Sequence, residues 1–129
     1  MPLALSTILY VEDEPDIRTV ARLALETVGG FTLRVCGSGE EAVEAGPAFK
    51  PDLLLLDVMM PGMDGPTTLA ALRENPALKE TPVIFMTAKV QPSEIQRYRD
   101  LGALDVIAKP FDPMTLADQV RNIWKRVNA

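Results

Sequence analysis

Leu53, Leu54, Leu55 and Leu56 stand in succession between Pro51-Asp52 and a turn-rich stretch, Asp57-Val58-Met59-Met60-Pro61-Gly62-Met63-Asp64-Gly65. A short run that is apolar at every position suits a strand buried on both faces of a parallel sheet. Thr7-Ile8-Leu9-Tyr10-Val11 and Pro82-Val83-Ile84-Phe85-Met86 read the same way, and Leu104-Asp105-Val106-Ile107-Ala108 supplies a further strand. Phe31 to Cys36 alternates instead, with Phe31, Leu33 and Val35 on one face and Thr32, Arg34 and Cys36 on the other, as expected of a sheet edge.

Between these runs the period becomes helical. Pro15 suits the first turn of a helix whose inner stripe is Ile17, Val20, Ala21, Ala24 and Val28, and Gly29-Gly30 ends it. Ser38-Gly39-Glu40-Glu41 reads as a capping box, with Glu41 reaching back, ahead of a short second helix. Gly65-Pro66 opens a third, with Leu69 and Leu72 inward, that must stop before Asn75-Pro76. Pro92 or Ser93 opens a fourth with a thin stripe of Ile95, Tyr98 and Leu101, and Gly102 ends it. Asp112-Pro113 is a cap and first-turn pair for a fifth, striped by Leu116, Val120, Ile123, Trp124 and Val127. Five strands alternating with five helices predict an α/β, three-layer αβα sandwich. Placing the most apolar strands centrally and the alternating one at an edge gives a flavodoxin-like five-stranded parallel sheet in the order 2-1-3-4-5.

Composition adds exclusions. In 129 residues, with hydrophobic content of 47% and charged content of 24%, residues 1–129 read as one domain with no output domain. The single cysteine, Cys36, is expected to be a small core or edge residue, and with no histidine the chain has neither a zinc cluster nor a Ser-His-Asp system. A net charge of −5 argues against direct nucleic-acid binding. The opening residues lack a basic region and no apolar run approaches the ~20 residues of a membrane span, so the expected location is cytoplasmic, without membrane insertion.

The candidate chemistry lies at the ends of the strands, where ligands bind in open α/β sheets. Glu12 and Asp13 follow the first strand, Asp57 the third, Thr87 the fourth and Lys109 the fifth. Bunched carboxylates repel unless a cation intervenes, and an all-oxygen set suits Mg²⁺. Carboxylates, divalent ion, hydroxyl and lysine together make a phosphoryl-transfer site, with Asp57 as nucleophile, Glu12 and Asp13 on the metal, and Lys109 and Thr87 on phosphoryl oxygens. Taken singly the residues have plainer readings: Asp57 as a turn residue, Lys109 as its ion-pair partner, Thr87 as the end of its strand.

From Thr7 to Val127 the sequence resembles the receiver domains of two-component response regulators. The motifs that carry the resemblance are Glu12-Asp13, the loop from Asp57 to Gly65, Thr87-Ala88 and Lys109-Pro110-Phe111. It implies that Asp57 accepts phosphate from a histidine kinase or histidine phosphotransfer protein. It also implies that Met59 lends a backbone carbonyl to Mg²⁺, that Lys109-Pro110 is a cis peptide, and that the fourth helix, fifth strand and fifth helix form the surface read by a downstream protein partner. The domain would be a regulator that assists its own phosphorylation and dephosphorylation, as a monomer or weak dimer.

Many members of that family carry an aromatic rotor three residues before the lysine, where this chain has Val106, so signalling through a swinging ring is not expected. Met59 and Lys89, flanking the acceptor, cannot orient an attacking water as an amide or carboxylate does, which predicts a long-lived phosphorylated form. Two other readings compete. One is a scaffold for which phosphorylation no longer matters, set against by the intact acceptor, acidic pair, hydroxyl and lysine. The other is an aspartyl-phosphate phosphohydrolase of the haloacid-dehalogenase kind, which needs a second Asp where Met59 stands.

Overall fold

Five parallel strands make one sheet in the order β2-β1-β3-β4-β5, as the hydrophobic pattern predicts. They are β1 (Thr7–Val11), β2 (Thr32–Cys36), β3 (Leu53–Asp57), β4 (Val83–Thr87) and β5 (Asp105–Ala108). The computed structural model describes residues 4–128, apart from the side chains of Val127 and Asn128, so Val127's place in the expected stripe lies outside the described residues. The helices are α1 (Pro15–Arg22), which runs on as a π-helical segment over Leu23–Val28, α2 (Gly39–Phe49), α3 (Gly65–Arg73), α4 (Pro92–Asp100) and α5 (Leu116–Asn128), with a short 3-10 turn at Pro76–Leu78.

The sheet separates two apolar layers. On one face Ile8, Tyr10, Leu53, Leu55, Ile84, Met86 and Ile107 pack against Ala21, Ala24 and Leu25 beside α1 and against Leu116, Ala117, Val120 and Ile123 of α5. On the other, Leu9, Val11, Leu54, Leu56, Val83 and Phe85 meet residues of α2, α3 and α4, with Cys36 buried among them. Every residue of β3 and β4 is buried. Register aligns the strand ends: Val11 lies opposite Leu56, Asp57 opposite Met86, and Thr87 opposite Ala108.

Some expected details change. Beyond Arg22 the α1 helix widens, and the Gly29 N–H donates to the Ala24 carbonyl five residues back (3.0 Å). The wider turn brings Gly29, not Val28, to the core, where a Cβ would stand 2.8 Å from the Ala117 Cβ. Val20 and Val28, expected inside, are exposed, and Leu25 takes an inward position. The second helix is not short: it runs eleven residues, with Pro47 inside it. Ser38 Oγ accepts from the Glu41 N–H (3.1 Å) as expected, but the Glu41 carboxylate reaches past Ser38 to the Gly37 N–H (2.9 Å). The Asp112 carboxylate accepts from the Met114 N–H (2.9 Å) and caps a turn, so the regular α5 begins at Leu116 rather than at Pro113. Leu101 falls just past the end of α4 and is 47% exposed, leaving buried Tyr98 and half-buried Ile95 to anchor the helix.

Candidate functional site

Because β1 and β3 are neighbours in register, the residues following them converge. Glu12 leaves β1 with its N–H on the Cys36 carbonyl (3.0 Å), and Asp57 ends β3 with Val58 N–H on the Met86 carbonyl (2.9 Å). Gly65 opens α3 hard against this point: a Cβ there would lie 2.6 Å from the Asp57 carbonyl oxygen. Glu12 and Asp57 are buried and Asp13 half-buried, and one carboxylate oxygen from each of the three lies within 4.8 Å of the others.

Lys109 reaches this cluster from the end of β5. Its Nζ donates to Glu12 Oε1 at 2.9 Å and to Asp57 Oδ1 at 3.2 Å. Its own N–H donates to the Thr87 carbonyl at 2.9 Å, and the Lys109–Pro110 peptide is cis. Burial disfavours the ammonium, yet its bonds to Glu12 and Asp57 hold its pKa above the usual lysine range. Burial pushes the Asp57 carboxyl up to about 7, and neighbouring Glu12 pushes the same way against the pull of Lys109.

Thr87 is buried at the end of β4, its hydroxyl accepting the Lys89 N–H at 3.1 Å. The structure thus brings Glu12, Asp13, Asp57 and Lys109 together and sets Thr87 on the adjacent strand, its hydroxyl engaged with the following loop. The Met59 side chain, 64% exposed, and that of Lys89 face outward, while half-buried Val106 packs on the α2–α4 layer.

Two contributors escaped the reading of the sequence. The Tyr10 hydroxyl reaches Glu12 Oε1 at 3.4 Å, and Arg18 Nη1 of α1 donates to the Glu12 and Asp13 carbonyls at 2.9 and 3.1 Å. Tyr10 had a signal, since it lies two residues before Glu12 and so shares its strand face. Arg18 had only the weak signal of a cation in a helix following three acids.

The donors that could hold a metal here are carboxylate oxygens, the hard ligands that suit Mg²⁺. The response regulator receiver domain model matches residues 8–121. The chain is 35% identical over 119 residues to the transcriptional regulatory protein CseB of Streptomyces avermitilis, covering 92% of this chain and 49% of that one. It spans about half the length of the curated relatives it matches. Among solved structures, the chemotaxis protein CheY4 of Vibrio cholerae superposes with a TM-score of 0.84 at 28% identity, covering 93% of this chain and 99% of that one. The signal receiver domain of a signal transduction histidine kinase from Syntrophus aciditrophicus does so with 0.77 at 34% identity, covering 95% and 92%. The fold, the matched span and these likenesses agree: the chain belongs to the response regulator receiver domain family.

Proposed function

We propose that Asp57 is the phosphoacceptor of a two-component phosphorelay, taking its phosphoryl group from the phosphohistidine of a histidine kinase or histidine phosphotransfer protein. The observation that carries this reading is the cluster itself, three carboxylates within 4.8 Å with the Lys109 ammonium on two of them. A carboxylate oxygen of Asp57 attacks phosphorus as the bond to the imidazole nitrogen breaks, leaving an acyl phosphate. Glu12, Asp13, Asp57 and the Met59 backbone carbonyl would hold Mg²⁺, which supplies charge neutralisation for a phosphoryl group in transfer. Lys109 turns its ammonium to one phosphoryl oxygen. The Thr87 hydroxyl, accepting from Lys89 in the resting state, still has a proton to donate to another.

The response passes through the Thr87 loop and α4 to the surface formed by α4, β5 and α5, where a downstream partner reads it. Val106 contributes packing there rather than a rotating ring. On this reading the domain acts in the cytoplasm, as a monomer or weak dimer, and is a regulator that assists its own phosphorylation and dephosphorylation. With Met59 and Lys89 unable to orient water, Met59→Asn should speed decay of the phosphorylated form by about tenfold, and Met59→Asn with Lys89→Glu by more. Equal decay in all three proteins refutes that role.

The acceptor is tested by incubation with a small-molecule phosphodonor and Mg²⁺, followed by mass spectrometry. The expected label is a single phosphoryl on Asp57, lost in Asp57→Asn and in excess chelator. Undiminished label in either defeats the assignment, and an unlabelled wild type favours a phosphorylation-independent scaffold.

A further inference from the structure

Tyr10 is fully buried in β1, its ring in the apolar layer beneath α1 and α5, where a phenylalanine would pack as well. Only its hydroxyl is out of place in that layer, and among the described residues its hydrogen-bond partner is Glu12 Oε1, at 3.4 Å. The same oxygen takes Lys109 Nζ at 2.9 Å, while Glu12 Oε2 accepts from the Glu14 N–H at 3.3 Å. Glu12 has no exposure to solvent, so a donor taken from Oε1 is not replaced freely by bulk water. Removing one partner of a buried charge is costly because the charge stays behind.

Phosphoryl transfer asks for that removal. The Lys109 ammonium, shared between Glu12 and Asp57, must turn toward the incoming phosphoryl oxygens, and among the described residues Oε1 then keeps a single hydrogen-bond donor, whatever charge a bound cation lends the carboxylate. We propose that the Tyr10 hydroxyl is a positioning group for this step, the donor that satisfies Glu12 Oε1 when Lys109 leaves it. The inference rests on Asp57 being the phosphoacceptor. At 3.4 Å the hydroxyl bond is slack, whereas an O–H donor to a carboxylate settles at about 2.5–2.7 Å, so the contact has room to tighten. Tyr10 and Lys109 are thus alternative partners of one oxygen.

Two measurements test this. The first needs no phosphodonor: thermal unfolding of wild type, Tyr10→Phe, Lys109→Met and the double variant, without metal. Each single variant leaves Oε1 one donor and the double leaves it neither, so the double should lose about 4 °C more than the sum of the single shifts. The second is the rate of labelling by a small-molecule phosphodonor at saturating Mg²⁺, read by mass spectrometry. Tyr10→Phe should label at Asp57 about tenfold more slowly, the effect of one lost hydrogen bond to a charge. Additive melting shifts, or labelling of Tyr10→Phe at the wild-type rate, overturn the role of the hydroxyl and leave Asp57 as acceptor. An unlabelled wild type overturns the acceptor reading, and this proposal with it.

Discussion

Helices α4 and α5 flank the same edge strand and are held quite differently. From α5, Leu116, Ala117, Val120 and Ile123 are buried against the sheet, and Arg121 lies 4.3 Å from the Phe31 ring centroid while donating to the Gly29 carbonyl. From α4 only Tyr98 is buried, its ring 5.3 Å from that of Phe85. Apolar burial supplies most helical stability in a folded protein, so α5 is part of the framework and α4 is loosely attached to it. The cluster at the strand ends shows the same division. Tyr10, which touches Glu12, belongs to the α1–α5 layer, whereas Thr87 ends the strand whose following loop leads into α4. Charge is organised against the firm layer, and the Thr87 hydroxyl opens onto the loop that leads to the loose one.

The contrast is most sharply tested by truncation. Leu116→Ala should cost about 2–5 kcal/mol of unfolding free energy and Ile95→Ala, half-buried in α4, no more than about 1 kcal/mol, measured by denaturant titration. Similar losses at the two sites would remove the distinction. Next in size is the charge on the firm side. The folded pKa of Asp57, near 7, lies above its unfolded value near 3.9, so its contribution is fully present below pH ~3.9 and lost as pH rises toward 7. A tenfold difference in proton affinity between the folded and unfolded chain is worth roughly 1.4 kcal/mol. Without metal, Asp57→Asn should therefore stabilise the protein at pH 8 by up to a few kcal/mol, and hardly at all at pH ~4. A pH-independent difference between the two proteins would contradict this.

Smaller effects concern the link between the helices. The Asp105 carboxylate accepts from Arg99 of α4 (3.0 Å) and Arg126 of α5 (2.7 Å), the one place where described side chains tie both helices to β5 by ion pairs. Burial works against its charge, but bonds from Arg126, the Val106 N–H and Arg99 hold its pKa below the usual carboxylate range. That contribution is present above the unfolded value near 3.9 and is lost as pH falls through the lower folded one. Asp105→Asn should cost less than about 1 kcal/mol overall, because both arginines are largely solvated. It should nevertheless accelerate amide exchange in α4 more than in α5. In the phosphorylated protein the largest exchange change is expected from Thr87 to Leu101. A maximum at Val106 and α5 would place the response on the framework instead.

What the sequence revealed follows from where physics is local. Short runs such as Leu53 to Leu56, bounded by turn residues, suit a buried strand, and a strand's end is visible wherever such a run meets a polar residue, so the strand-end places of Glu12, Asp57, Thr87 and Lys109 were legible. Periodicity failed where a helix departs from its ideal pitch: the widened turn after Arg22 exchanges Val28 for Gly29 at the core, and nothing in the residues Leu23 to Val28 demands it. It also failed for side chains that reach across elements. Arg18 bonding to carbonyls of the β1–α1 loop, and Arg99 and Arg126 meeting on Asp105, depend on distances that only the assembled layers set. Tyr10 was hidden in plain view, since an aromatic in a buried strand needs no further explanation until its hydroxyl is placed.

Gly65 bears on how a signal can begin. With α3 starting so close that a Cβ at residue 65 would lie 2.6 Å from the Asp57 carbonyl oxygen and 2.9 Å from the Val58 Cα, and with Val58 N–H bound to β4, the Asp57 backbone has little room to recoil. The Asp57 carboxylate therefore stands on a fixed anvil of backbone. On the phosphoacceptor reading proposed above, an incoming group would be accommodated by parts that turn or slide, namely the Lys109 ammonium, the Thr87 hydroxyl and the loop beyond, so the direction of mechanical travel would be set before any phosphate arrives.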